Sequence, residues 1–180
     1  ISFEGTPTDG KATACLAGTV NRETLDTLAV TAALAPKRIT FSGLRVRVRG
    51  AEATGGGVLA LGPGGPLQAS ITFHGIDPAA VPWWKAPDDM PSGALAGTSR
   101  LLIRFNRPRA TVAATVALEQ SRFGRLDMRQ GLLHVATGAD GSTVLDSSWV
   151  DVPGGRLLGR ARLAPDQTIE YISVHNWSLR

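Results

Sequence analysis

The side chains able to do chemistry in this chain are few and scattered. His74, His134 and His175 have neither a carboxylate nor a second histidine at the short spacings that metal ligation uses, so structural or surface histidines are expected and no metal ligand is assigned. Asp88-Asp89 lies in a proline-bounded loop (Pro87 to Pro91) with no sequence partner for acid–base work; solvation is the expectation. Cys15 is the only cysteine, which rules out an intrachain disulfide and a thiolate cluster. No Gly-x-Ser-x-Gly elbow occurs. The glycine groups at 55–57 and 154–155 stand between strand-like segments, whereas a phosphate cradle needs a helix amino terminus behind its glycines. The sequence therefore points to no enzyme, no catalytic residue and no cofactor. Trp83, Trp84, Trp149 and Trp177 offer a different chemistry, a sugar-stacking platform or an interfacial belt, against ordinary packing in a turn or core.

Composition restricts partners further. The 180 residues carry a formal charge of +4, with charged residues at 19%, below the usual ~25%. The arginines are spread singly, as at Arg45, Arg104, Arg125 and Arg160. No basic patch interleaved with aromatics appears, so nucleic acid is not expected. Solvated outer faces account for the charge, and attraction to anionic lipid head groups is a second use for it. No apolar run approaches the ~20 residues of a membrane helix. The chain starts at Ile1 with no charged-then-apolar leader, so it reads as a single β domain, 1–180, cut from a longer protein.

The elements that position these residues are strands. Between Arg38 and Leu61, Leu44, Val46 and Val48 alternate with Arg45, Arg47 and Arg49. Period two sends three apolar side chains to one face and three guanidinium groups to the other. Gly50 through Gly57 reads as a turn, and Val58 to Leu61 as the next strand. Before this pair, Ala12 to Val20 and Leu28 to Leu34 read as strands, with a helical turn over Arg22 to Asp26 between them. After it come a Gly62–Pro66 turn and a strand from Gln68 to Phe73. A short helical turn over 78–84 follows, capped by Asp77 with Pro78 first. The loop at 87–93 marks a possible boundary between half-units. Strands resume at Leu101–Phe105, Val112–Leu118, Leu126–Met128, Gly131–Ala136, Val144–Val152, Arg156–Leu163 and Ile169–Val174. Many strands at short, regular spacing predict an all-β antiparallel meander, sandwich or barrel. Ser42-Gly43-Leu44 to Leu61 and Gly124-Arg125-Leu126 to Leu163 echo each other as strand, strand, glycine pair, strand.

The run Leu28 to Leu61 followed by Ile71-Thr72-Phe73-His74-Gly75-Ile76-Asp77-Pro78-Ala79-Ala80, and the run Gly124 to Leu163 with its Val152-Pro153-Gly154-Gly155-x-x-x-Gly159 close, resemble the AsmA-like proteins of Gram-negative envelopes. In that family similar units build long β-grooves thought to carry phospholipids between inner and outer membranes. The resemblance implies a periplasmic, cell-envelope chain whose membrane anchor lies elsewhere in its parent, and it transfers no catalytic residue. The tryptophan-rich loop at 83–84 departs from the family. Together with the alternation, the resemblance leads to an expected curved, groove-like antiparallel sheet that holds a phospholipid or other acyl lipid. Leu44, Val46, Val48, Leu59, Leu61, Val112, Val116 and Leu118 are expected to line the groove. The alternative is a β-sandwich or jelly roll serving as a carbohydrate-binding or structural module.

Overall fold

The alternation at Leu44 to Val48 extends along nearly the whole chain, and hairpin turns stack it into one sheet. The structure is a computed structural model that describes residues 2–6, 9–20, 23–80, 91–105, 109–166 and 168–177. Its strands are β1 (Ser2–Thr6), β2 (Asp9–Val20), β3 (Glu23–Ala35), β4 (Arg38–Val48), β5 (Ala51–Ala60), β6 (Pro66–Ile76), β7 (Gly93–Arg104), β8 (Thr111–Leu118), β9 (Ser121–Phe123), β10 (Leu126–Met128), β11 (Gln130–Thr137), β12 (Thr143–Val152), β13 (Gly155–Leu163) and β14 (Ile169–Trp177). They pair in the order β1-β2-β3-β4-β5-β6-β7-β8-β11-β12-β13-β14, with the β9–β10 hairpin attached to the start of β7. The sheet is an open, curved antiparallel meander. Among the described residues no second sheet faces it, so the sandwich alternative does not apply within this chain.

Local chemistry explains the turns and the bending. Val48 pairs with Ala51 across Arg49 and Gly50, and both turn residues have positive φ (50° and 84°). That is the primed two-residue turn whose twist matches a hairpin. Arg49 thus sits in the turn, not in the row of strand arginines that its spacing predicts. Pro153 fixes the second turn residue before Gly154 (φ 96°), joining Val152 to Gly155. Three left-handed residues mark breaks in register: Gly43 (φ 62°), Gly75 (φ 67°) and Ser147 (φ 50°). Each break adds a residue to one strand, which raises local twist and bends the sheet. At Ser147 the local chain is held by its own amide donating to Asp146 Oδ1 at 2.8 Å.

Two sequence expectations fail here. The helical turn expected over Arg22 to Asp26 is strand from Glu23 onward, because β3 is paired on both sides, with β2 and with β4; Arg22 lies outside the described residues. Gly55-Gly56-Gly57 is not a turn but the middle of β5. A Cβ at Gly56 would stand 2.8 Å from the Phe41 carbonyl oxygen, and one at Gly57 would stand 2.7 Å from Phe41 Cζ and closer still to the Gln68 carbonyl. The glycines leave room for an aromatic ring laid across the neighbouring strand. Pro78–Ala80 forms the expected short helical turn. The Asp77 carboxylate accepts from Ala79 N (3.1 Å) and from Gly93 N (2.9 Å), so one side chain ties the turn to the start of β7. Trp83, Trp84, Asp88 and Asp89 lie outside the described residues, as does most of the expected half-unit boundary. β6 and β7, on either side of that loop, pair directly from Pro66↔Arg104 to Ile76↔Leu95.

Gly57→Val tests this account of the glycine run. The added side chain collides with backbone and with the Phe41 ring, so the variant is expected to lose about 1–3 kcal/mol of stability. Thr54→Val, on the opposite face of the same strand, is expected to change it by less than about 0.5 kcal/mol. Paired thermal melts check the difference.

Candidate functional site

Residues opposite one another across an antiparallel pair point to the same side of the sheet, so the registers define each face strand by strand. One row runs Phe41, Gly57, Ala69, Leu101, Ala114, Val135, Leu145, Ala161 and Ile172 from β4 to β14. Neighbouring rows on this face run Leu44, Gly55, Ile71, Ser99, Val116, Leu133 and Val46, Ala53, Phe73, Gly97, Leu118, Gly131, Val150, Leu157. No charged residue falls in these rows. The opposite face carries Arg45, Arg47, Glu52, His74, Arg100, His134, Asp146, Asp151, Arg156, Arg160 and Arg162. Charge is therefore confined to one side of a sheet one layer thick, a side that also carries apolar residues such as Leu102 and Leu132.

Seven of the eight expected groove residues share the apolar face. Leu44, Val46 and Val48 lie on β4, Leu59 on β5, and Val112, Val116 and Leu118 on β8. Leu61 does not join them in the sheet. It follows the last residue of β5, is 45% exposed, and borders a separate recess with Phe105 and the Gly62–Gly65 turn. Sequence reasoning missed Phe41, Ile71, Phe73, Leu101, Leu133 and Val135 as partners on the same face. Their signal was present as alternation within each strand, but only the strand-to-strand register brings the rows together.

The apolar face is the more occluded of the two. From β4 to β13 its side chains are half-buried or buried, whereas Val58, Arg100, Ala113, Ala136 and Arg160 on the other face are exposed. Deep burial is confined to one place. Leu118 and Met128 are 5% and 6% exposed, where the β9–β10 hairpin folds back beside β7 and β12. Ser121 Oγ accepts from Ala96 N at 2.9 Å and fixes the hairpin to β7. Elsewhere, among the described residues, no element of the chain covers the apolar rows.

The charged face is held by paired groups. Arg45 Nε donates to Glu52 Oε1 at 2.7 Å, and Arg160 Nε lies 3.0 Å from Asp146 Oδ1. Around Asp151 the pairing is denser. Arg156 contacts both carboxylate oxygens (2.6 and 3.0 Å), Gln130 Nε2 donates to Oδ2 at 2.9 Å, and the guanidinium lies 3.9 Å from the centroid of the Trp149 ring. Trp149 is thus half-covered by its own chain on the charged side, and it neither fills a core nor presents a free stacking platform. The Arg156 and Gln130 hydrogen bonds hold the Asp151 carboxyl down to about 2. His134 Nδ1 is 3.3 Å from Thr115 Oγ1, and His175 Nε2 is 2.9 Å from Ser173 Oγ. Among the described residues no three His, Cys, Asp or Glu side chains converge as a metal site would require. None of the described helices is long and apolar enough to cross a membrane.

Comparison with protein-family models, curated proteins and solved structures finds no match to this chain.

The depressed Asp151 value has a signed consequence. A carboxylate whose folded pKa lies below its unfolded value adds stability above the unfolded value, near 3.9, and loses it as pH falls through the folded one, near 2. Asp151→Asn is expected to melt below the parent protein at pH 7, and the gap is expected to close between about pH 4 and pH 2. Melts of both proteins across that range check it.

Proposed function

We propose that this chain is a lipid-binding module whose apolar face holds acyl chains. The observation that carries the reading is the charge-free, largely apolar face from β2 to β14, lined by Val30, Phe41, Ile71, Leu101, Val135 and Ile172. Exposed apolar patches beyond a few hundred Å² are uncommon on soluble monomers and mark surfaces that are covered in use. Acyl chains suit such a cover because it offers no fixed hydrogen-bond donors. Each methylene removed from water contributes about 0.8 kcal/mol without directional demands. The mixture of small (Gly55, Gly57, Ala69, Ala114) and branched (Val46, Ile71, Val116) side chains gives an uneven aliphatic surface that mobile chains can fill.

The reading extends to the class inferred from the sequence: an AsmA-like segment of the Gram-negative envelope that moves phospholipid along its sheet, its membrane anchor elsewhere in the parent protein. On this view the module has binding to do and no bond to make. It requires neither a catalytic residue nor a cofactor. The paired charges of the opposite face keep that side in water.

Val46→Asp and Arg47→Asp test the proposal. Val46 is half-buried on the apolar face and Arg47 is exposed on the other. An unpaired carboxylate against acyl chains is costly, whereas a surface charge contributes little. Val46→Asp is expected to fold and to lose most of its co-purified acyl lipid, measured by mass spectrometry of organic extracts; Arg47→Asp is expected to keep it. A parent protein free of acyl lipid, together with a Val46→Asp variant that aggregates, would contradict the reading and favour a face buried against protein.

A further inference from the structure

A recess among the described residues lies on the charged face and not on the apolar one. It crosses the charged face at right angles to the strands, from β5 to β12, and has a volume of about 740 Å³. Five steps between neighbouring strands at about 4.8 Å give it a length of roughly 24 Å. Its floor is backbone at Gly57, Ala69, Leu101, Ala114 and Val135, whose side chains point away to the apolar face. One wall is the row Val58, Leu102, Ala113, Ala136 and Val144, with Gln68 as its one polar member. The facing wall is the row Ser70, Arg100, Thr115, His134 and Asp146. A channel with one aliphatic wall and one polar wall is an unusual feature on a face otherwise given to ion pairs.

The charges along the polar wall single out one group. Asp146 is already engaged with Arg160 at 3.0 Å, and Thr115 Oγ1 meets His134 Nδ1 at 3.3 Å. Arg100 stands between Ser70 and Thr115 in the register. It is exposed, and among the described residues its guanidinium has neither an ion-pair nor a hydrogen-bond partner. A planar guanidinium flanked by two hydroxyl-bearing residues matches a carboxylate or phosphate, which accepts charge-assisted hydrogen bonds from the fork. The aliphatic wall opposite would take an apolar body lying along the channel, and the volume falls in the ~300–1,000 Å³ range of small-molecule sites.

We infer that this cross-strand channel is a binding site for a single-chain anionic amphiphile, with its head group on Arg100 and its chain against Leu102, Ala113 and Ala136. The site is distinct from the apolar face, and it stands whether or not that face carries lipid.

Titrations with decanoate and with decyl phosphate, each below its micelle concentration, test the inference through the methyl resonances of Ala113, Ala136 and Val144. Both anions are expected to shift these signals in a saturable way; if only one does, its head group identifies the anion. Arg100→Gln is expected to move the decanoate midpoint about tenfold higher, as the loss of a charge-assisted hydrogen bond implies. Ala113→Trp, at an exposed position, is expected to abolish the shifts while leaving the melting temperature unchanged. Arg47→Gln, exposed on the same face but outside the channel, is expected to leave the midpoint unaltered. Decyltrimethylammonium binding as well as decanoate, or an Arg100→Gln midpoint equal to that of the parent, would overturn the inference, as would an absence of shifts with both anions.

Discussion

A sheet one layer thick has no inside, and the rest of this structure depends on that constraint. The chain alternates through strand after strand, so pairing the strands gathers the charged side chains on one side and leaves the other without charge, while some apolar side chains such as Leu102 and Leu132 stay with the charges. In a sandwich a second sheet would remove that side from water. Here the chain continues in the same curved sheet from β1 to β14, and among the described residues the short β9–β10 hairpin folds back. Leu118 and Met128 are consequently the deeply buried apolar residues among those described. Stability therefore has to come from ladder hydrogen bonds and from side-by-side contact within each face. The edge strand shows what happens without a neighbour: Ile169, Ile172 and Val174 on β14 are 59–60% exposed.

The two faces resolve this constraint differently. On the apolar face, crowding does what it can: Phe41 lies over Gly57, and large side chains alternate with glycine and alanine so that the rows interlock. On the charged face, cross-strand ion pairs such as Arg45–Glu52 and Arg156–Asp151 staple neighbouring strands. The second of these is the stronger arrangement, because a bidentate guanidinium, an amide donor and an aromatic ring all act on one carboxylate. Bulges at Gly43, Gly75 and Ser147 add the twist and bending that a long flat meander would otherwise lack.

Much of this architecture was legible in the sequence, and its failures have identifiable causes. The alternation in Leu44–Val48 fixed the faces of β4 correctly, and the same rule placed Val112, Val116 and Leu118 together. It failed where glycine has two uses. At Gly154 a glycine makes a turn, whereas at Gly55–Gly57 glycines admit a neighbouring backbone and ring, and composition alone does not separate the two. It failed at Glu23–Asp26 because pairing on both flanks overrides a helical spacing of leucines. Arg49 faces water as expected, but from the turn and not from the strand, because the turn begins one residue before the glycine that signals it. The channel on the charged face could not be read at all: its walls come from six strands, and only the register sets Arg100 opposite Thr115 and beside Ser70.

Paramagnetic broadening by a phospholipid carrying a nitroxide on its acyl chain measures most directly which face meets lipid. The account predicts that bound spin-labelled lipid broadens the methyl resonances of Val46, Ile71, Leu101 and Val116 more strongly than those of Leu132 and Leu158 on the charged face. Equal broadening of both sets, or broadening confined to Leu132 and Leu158, would contradict it.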